Sequence, residues 1–163
     1  MVGMDIPADF RYLWHMSIES MKALIAEDDP ASQVILEKML SPFGEVDVTA
    51  NGQDAVESFI RALNHRKPYH LVCLDIMMPG LDGQSVLRRI RGVENAKMIS
   101  PDKRAKIIMT TAVRDRENVI AAIHEQCDGY FVKPLKTNLV YDRLRELGFE
   151  IKPRDGERDS SRQ

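Results

Sequence analysis

Two groups of carboxylates close two short apolar runs. Asp75 ends Leu71-Val72-Cys73-Leu74 and opens Asp75-Ile76-Met77-Met78-Pro79-Gly80-Leu81-Asp82-Gly83, while Glu27, Asp28 and Asp29 close Ala23-Leu24-Ile25-Ala26. Strand-like segments that end in acids put those acids side by side at the C-terminal edge of a parallel sheet, where open α/β sheets bind ligands. Clustered carboxylates repel one another unless a cation neutralises them, so the pattern asks for a hard metal ion with oxygen ligands. Two further runs end in Thr110-Thr111-Ala112 and in Val132-Lys133-Pro134, which adds a hydroxyl and an ammonium to the same edge. A metal held by Asp28 and Asp75 could also bind a phosphoryl oxygen, with Thr111 and Lys133 on the other two. Phosphoryl transfer asks a protein for little beyond positioning and charge stabilisation. Asp75 is then the nucleophile, forming an acyl phosphate.

The elements that must position these groups follow from the apolar pattern. From Met21 onward, short runs at 23–26, 46–49, 71–74, 107–110 and 130–132 alternate with segments of helical period. Four runs are apolar throughout, as expected of strands covered on both faces; Val46-Asp47-Val48-Thr49 alternates, which suits an edge strand. Asp29-Pro30 reads as an N-cap with proline at the first helical position, opening a helix to about Pro42. Helices are expected at 52–63 and 83–91, after Asp115 (Val119, Ala122, Ile123) and after Thr137 (Val140, Leu144, Leu147). Five strand–helix repeats predict an α/β doubly wound fold with a parallel sheet and right-handed crossovers.

Residues 1–20 form an N-terminal extension with Phe10, Tyr12, Leu13 and Trp14, enough for a short helix; part of it could stem from an expression vector, since Met21 would serve as a start. Residues 94–106 read as a polar insertion. One folded unit is expected at 21–150, with 151–163 a charged, disordered tail.

Bulk properties exclude several classes. The chain has 163 residues, 44% hydrophobic and 29% charged, enough for one domain with a core. A net charge of −2, from 23 basic and 25 acidic residues, leaves no electrostatic footprint for nucleic acid. No apolar stretch approaches the roughly 20 residues of a membrane span, and the N-terminus lacks a signal-peptide core. Cys73 and Cys127 read as buried, reduced thiols of a cytoplasmic protein, and His15, His65, His70 and His124 as surface residues without ligand spacing.

Taken together, Glu27-Asp28, Asp75, Met78-Pro79, Asp82-Gly83, Thr111-Ala112, Tyr130 and Lys133-Pro134 resemble the receiver domains of two-component response regulators, over about residues 22–149. The resemblance implies a flavodoxin-like fold: a five-stranded parallel sheet of order 2-1-3-4-5 with five helices. It implies Mg2+ held by Asp28 directly, by Glu27 through water, by Asp75 and by the Met77 carbonyl. Asp75 becomes the phosphoacceptor, Thr111 the switch hydroxyl, Lys133 the conserved ammonium before a cis peptide bond, and Tyr130 the switch aromatic. The phosphoryl donor is then a sensor histidine kinase or a histidine phosphotransfer protein. The output is a protein surface built from the fourth helix, fifth strand and fifth helix, read by a downstream protein that the sequence does not name. Homodimerisation, common in the family, is left open.

Such a chain modifies itself and is not a turnover enzyme. Met77 and Val113, two residues beyond Asp75 and Thr111, are apolar and cannot orient an attacking water, so slow autodephosphorylation is expected. A phosphatase of the haloacid-dehalogenase kind needs a second Asp where Met77 stands. No length remains for a helix-turn-helix output domain, which favours a stand-alone receiver. The alternative is a phosphorylation-independent scaffold with a receiver fold.

Overall fold

The computed structural model describes residues 20–112 and 127–151. Five parallel strands, β1 (Met21–Ala26), β2 (Gly44–Thr49), β3 (Leu71–Asp75), β4 (Lys106–Thr111) and β5 (Gly129–Val132), form one sheet of order β2-β1-β3-β4-β5. Four described helices connect or follow them: α1 (Pro30–Leu40), α2 (Gly52–Asn64), α3 (Gly83–Ala96) and α4 (Thr137–Glu146). The helix expected after Asp115, Val113, residues 1–19 and the tail from 152 lie outside the described residues.

Alternation along the strands sorts side chains onto two faces. Leu24, Val72, Leu74, Ile107 and Met109 pack with Phe59 of α2 and Val86 and Ile90 of α3. Ala23, Ile25, Leu71, Cys73, Ile108 and Phe131 pack on the opposite face with Leu36 and Leu40 of α1 and Val140 and Leu144 of α4. Both faces of the inner strands are therefore covered, which is why β3 is buried at every position. β2 lies at the edge and is only half-buried, as its alternating sequence predicts.

The starts of α1, α2 and α3 are built from side-chain caps, whereas α4 begins after Lys136 without one. Asp29 accepts from Ser32 N at 2.9 Å ahead of Pro30, Asn51 from Asp54 N at 2.8 Å, and Asp82 from Ser85 N at 2.7 Å. Asp29 is thus a capping residue, and its hydrogen bonds from Ser32 hold its carboxyl below the usual range.

Three expectations are corrected. α3 continues past Arg91 to Ala96, so the insertion begins later than residue 94. The reason is Glu94, which is 1% exposed and accepts hydrogen bonds from Ala105 N at 3.0 Å and from Arg91 Nη1 at 2.8 Å. Arg91 also bonds Ala105 O and Asp128, each at 2.9 Å, so a buried ionic clamp joins the end of α3 to the entrances of β4 and β5. His70 is not a free surface residue: its Nδ1 accepts from Lys22 N at 2.9 Å, and partial burial keeps the ring neutral for that role by lowering its pKa. Cys127 is half-buried, whereas Cys73 is buried as expected; both thiols are free.

Candidate functional site

The parallel register brings the C-terminal ends of β1, β3, β4 and β5 to one edge. Ala26 pairs with Leu74, Asp75 with Thr110, and Thr111 with Val132. Glu27 continues β1 by one residue, its N–H donating to Thr49 O at 3.1 Å. Its carboxylate is fully buried between two donors: Asp29 N reaches Oε1 at 3.1 Å and Lys133 Nζ reaches Oε2 at 2.6 Å. Its carbonyl accepts from Gln33 Nε2 at 2.6 Å, a contact from α1 that the sequence did not signal.

Asp75 is 5% exposed. Its Oδ1 accepts from Met77 N at 3.3 Å, and its Oδ2 lies 3.5 Å from Lys133 Nζ. Burial pushes its pKa up to about 6; the Lys133 charge opposes that rise, and the neighbouring Glu27 carboxylate adds to it. The Lys133 pKa is raised as well, which in its case favours the charged form. Burial alone disfavours its charge, but the hydrogen bond to Glu27 and the two carboxylates outweigh it. One ammonium is thus shared between two buried acids.

Asp28 is exposed beside them, and Glu27, Asp28 and Asp75 each offer a carboxylate oxygen within 4.8 Å of the others. Three carboxylates against one ammonium leave excess negative charge on oxygen donors alone, which fits a hard divalent cation such as Mg2+. Met77 is 68% exposed on the loop after β3, whereas Met78 is buried. Thr110 and Thr111 are both buried at the end of β4. Tyr130, 37% exposed, is the second residue of β5, Lys133 follows the last residue of that strand, and the Lys133–Pro134 bond is cis. Asp82 caps α3 through Ser85 and stands apart from this group. Gly83 makes the approach of α3 achievable: a Cβ there would lie 2.2 Å from Asp75 O.

The sequence model of the response regulator receiver domain matches residues 23–145. The chain belongs to this family. Among curated relatives, the receiver resembles the transcriptional regulatory protein AfsQ1 of Streptomyces coelicolor, with 33% identity over 139 residues, 85% of this chain and 53% of that protein. It resembles the regulatory protein VanRB of Enterococcus faecalis with 31% identity over 124 residues, 76% of this chain and 50% of that one. The chain therefore spans about half the length of these relatives. Among solved structures, the receiver is similar to response regulator TrrA of Thermotoga maritima in complex with Mg2+ and beryllofluoride. That match has 28% identity and a TM-score of 0.63 over 78% of this chain and 98% of that one. A chain of the CheX–CheY–BeF3–Mg2+ complex of Borrelia burgdorferi matches with 27% identity and a TM-score of 0.64, over 80% and 90% of the two chains. No described helix of the receiver is long and apolar enough to cross a membrane.

Proposed function

We propose that this receiver accepts a phosphoryl group on Asp75, in the presence of Mg2+, and changes a protein-binding surface in response. The observation that carries the proposal is the three-carboxylate cluster with Lys133 Nζ at 2.6 Å from Glu27 and 3.5 Å from Asp75. The Mg2+–beryllofluoride complex of the Thermotoga relative supports it, because beryllofluoride mimics a phosphoryl group.

Glu27, Asp28, Asp75 and the Met77 carbonyl would hold the ion. When bound, Mg2+ neutralises the carboxylates and draws charge from phosphoryl oxygens. The donor is the phosphohistidine of a sensor kinase or of a phosphotransfer protein. An Asp75 oxygen forms the new O–P bond as the N–P bond breaks, and the imidazole leaves with the electron pair. Lys133, kept charged by Glu27, binds one phosphoryl oxygen, and Thr111 binds another. Turning Thr111 inward vacates space that Tyr130 enters from its half-exposed position. The surface of β5, α4 and the helix expected after Asp115 then repacks, a bistable element biased by a local change of charge. This chemistry is self-modification, and the ATP that feeds a kinase places it in the cytoplasm.

Residues 21–150 form the folding unit on this reading. Phe149 is buried and Ile151 packs on the same core, which supports a boundary beyond the matched residue 145. The remaining residues at either end are taken as an extension and a tail.

The test is intact-mass analysis after incubation with Mg2+ and acetyl phosphate. One phosphoryl adduct that disappears in Asp75→Ala supports the reading. A folded, Mg2+-binding protein that takes no adduct moves the assignment to a phosphorylation-independent scaffold. Tyr130→Ala should leave the adduct intact and weaken whatever partner binding phosphorylation controls; unchanged partner binding removes Tyr130 from the switch.

A further inference from the structure

One buried polar group lies outside this scheme. Thr110 is 0% exposed, and its Oγ1 has no hydrogen-bond partner among the described residues. Buried hydroxyls are nearly always bonded, so an exception asks for an explanation. Valine has almost the same shape and would carry no such cost at a strand position, where its propensity is also high. Violations of a local rule of this kind are expected at functional sites.

The register says which group the hydroxyl accompanies. Thr110 pairs with Asp75 on one side and with Phe131 on the other. Ile108 and Phe131 belong to the core cluster on the α1 and α4 face, with Ile25 and with Leu71 and Cys73. Ile107 and Met109 belong to the opposite cluster. Strand alternation therefore puts Glu27, Asp75, Thr110 and Lys133 on one face, and Thr111 on the other. Of the two adjacent threonines, Thr110 is the direct cross-strand neighbour of Asp75 on Asp75's own face. Asp75 Oδ1 accepts from Met77 N at 3.3 Å and Oδ2 lies 3.5 Å from Lys133 Nζ, and in this arrangement neither oxygen bonds the neighbouring hydroxyl.

We propose that Thr110 is a positioning residue for Asp75: its hydroxyl donates to the Asp75 side chain once Lys133 turns to a phosphoryl oxygen. This rests on the phosphoacceptor reading above. As Lys133 leaves Asp75 Oδ2, that oxygen loses its donor in a buried place. The Thr110 hydroxyl, at the paired position of the next strand and uncommitted, replaces the donor without any solvent entering. The oxygen that it holds is the one retained as carbonyl or bridging atom of the acyl phosphate, so the contact favours the reacting geometry over the resting one.

Two substitutions separate this role from simple packing. Thr110→Val keeps the volume and removes the hydroxyl; Thr110→Ser keeps the hydroxyl and removes the methyl group. Phosphorylation rate with acetyl phosphate and Mg2+, and the denaturant midpoint without them, are measured for both and for the wild-type chain. The proposal expects Thr110→Val to keep or raise the midpoint while phosphorylation slows by about tenfold, the loss of one hydrogen bond to a charged group. Thr110→Ser should lower the midpoint and keep phosphorylation within about threefold of wild type, so that stability and reactivity move in opposite directions. A wild-type rate in Thr110→Val, or a rate that tracks the midpoint in both variants, overturns the Thr110 role and leaves the phosphoacceptor intact. No adduct on the wild-type chain overturns both.

Discussion

Gly83 offers a stability prediction with a built-in control. It opens α3 immediately below the acidic cluster, and its N–H donates to Ile76 O at 3.1 Å. A Cβ at Gly83 would sit 2.2 Å from Asp75 O, 2.9 Å from Asp75 C and 3.0 Å from Ile76 Cα. All three are backbone atoms, so no side chain can rotate aside. Ordinary contact begins at 3.4 Å, and α3 or the end of β3 must retreat by about 1.2 Å. Gly92 stands in the same helix, exposed, with nothing within 4 Å of its Cβ position. There alanine brings only its helix propensity, about 0.5–1 kcal/mol. At Gly83 the same gain is overtaken by overpacking of about 1–3 kcal/mol. At about 3 °C per kcal/mol for a chain of this length, Gly92→Ala should raise Tm by about 2 °C, and Gly83→Ala, after the same gain is subtracted, should lower it by about 1–7 °C. Thermal melts of the three proteins in one buffer decide the matter. Because the retreat moves the Asp75 backbone, Gly83→Ala should also slow phosphorylation by one to two orders of magnitude, in line with what displacement of about 1 Å costs a reacting group. A Gly83→Ala protein as stable as Gly92→Ala would refute the close approach.

Three further outcomes follow from the same geometry. In EDTA, Asp75→Asn should be more stable than wild type by about 1 kcal/mol at pH 8, with the difference fading toward pH 4. The folded Asp75 holds its proton up to about pH 6 against an ordinary value of 3.8, so stability drops as pH rises through that window; a pH-independent difference in urea midpoints contradicts it. Glu94→Ala leaves the buried Ala105 N unbonded and takes one acceptor from Arg91, which keeps Ala105 O and Asp128; it should cost about 2 kcal/mol by denaturant titration, while the adduct still forms, since the clamp lies at the far end of α3; a loss below about 1 kcal/mol counts against the clamp. Met77→Asn puts an amide where an exposed thioether stands and should shorten the acyl-phosphate lifetime, and a change smaller than about twofold in a decay time course removes water orientation as the cause of slow loss.

Much of the fold was legible because parallel strands buried on both faces must be apolar throughout. The runs at 23–26, 71–74 and 107–110 are the centres of β1, β3 and β4, each extended by a residue or two of mixed character. The alternation of Val46–Thr49 correctly set β2 at the edge. What escaped was polar burial. Glu94 belongs by type to a solvated segment, and nothing local announces that Arg91 and Ala105 N will close over it from distant positions. His70 was likewise unreadable, because its partner is the backbone N–H of Lys22 in β1, distant in sequence. At the site, residue types and their places at strand ends predicted the gathering of Glu27, Asp28, Asp75 and Lys133. The ammonium's closer hold on Glu27 than on Asp75 depends on side-chain reach, which spacing does not encode. The distinction between Thr110 and Thr111 depends on strand register, and it appears only once β4 is aligned with β3.

The most direct test of the central claim locates the modified atom. The receiver is incubated with Mg2+ and acetyl phosphate, quenched with borohydride, digested and mapped by mass spectrometry. Reduction of an aspartyl phosphate leaves homoserine at the modified position. Homoserine at residue 75, absent when either Mg2+ or the phosphodonor is omitted, is the predicted result. Homoserine at Asp28 or another acid, or none in a folded protein that binds Mg2+, would contradict the account.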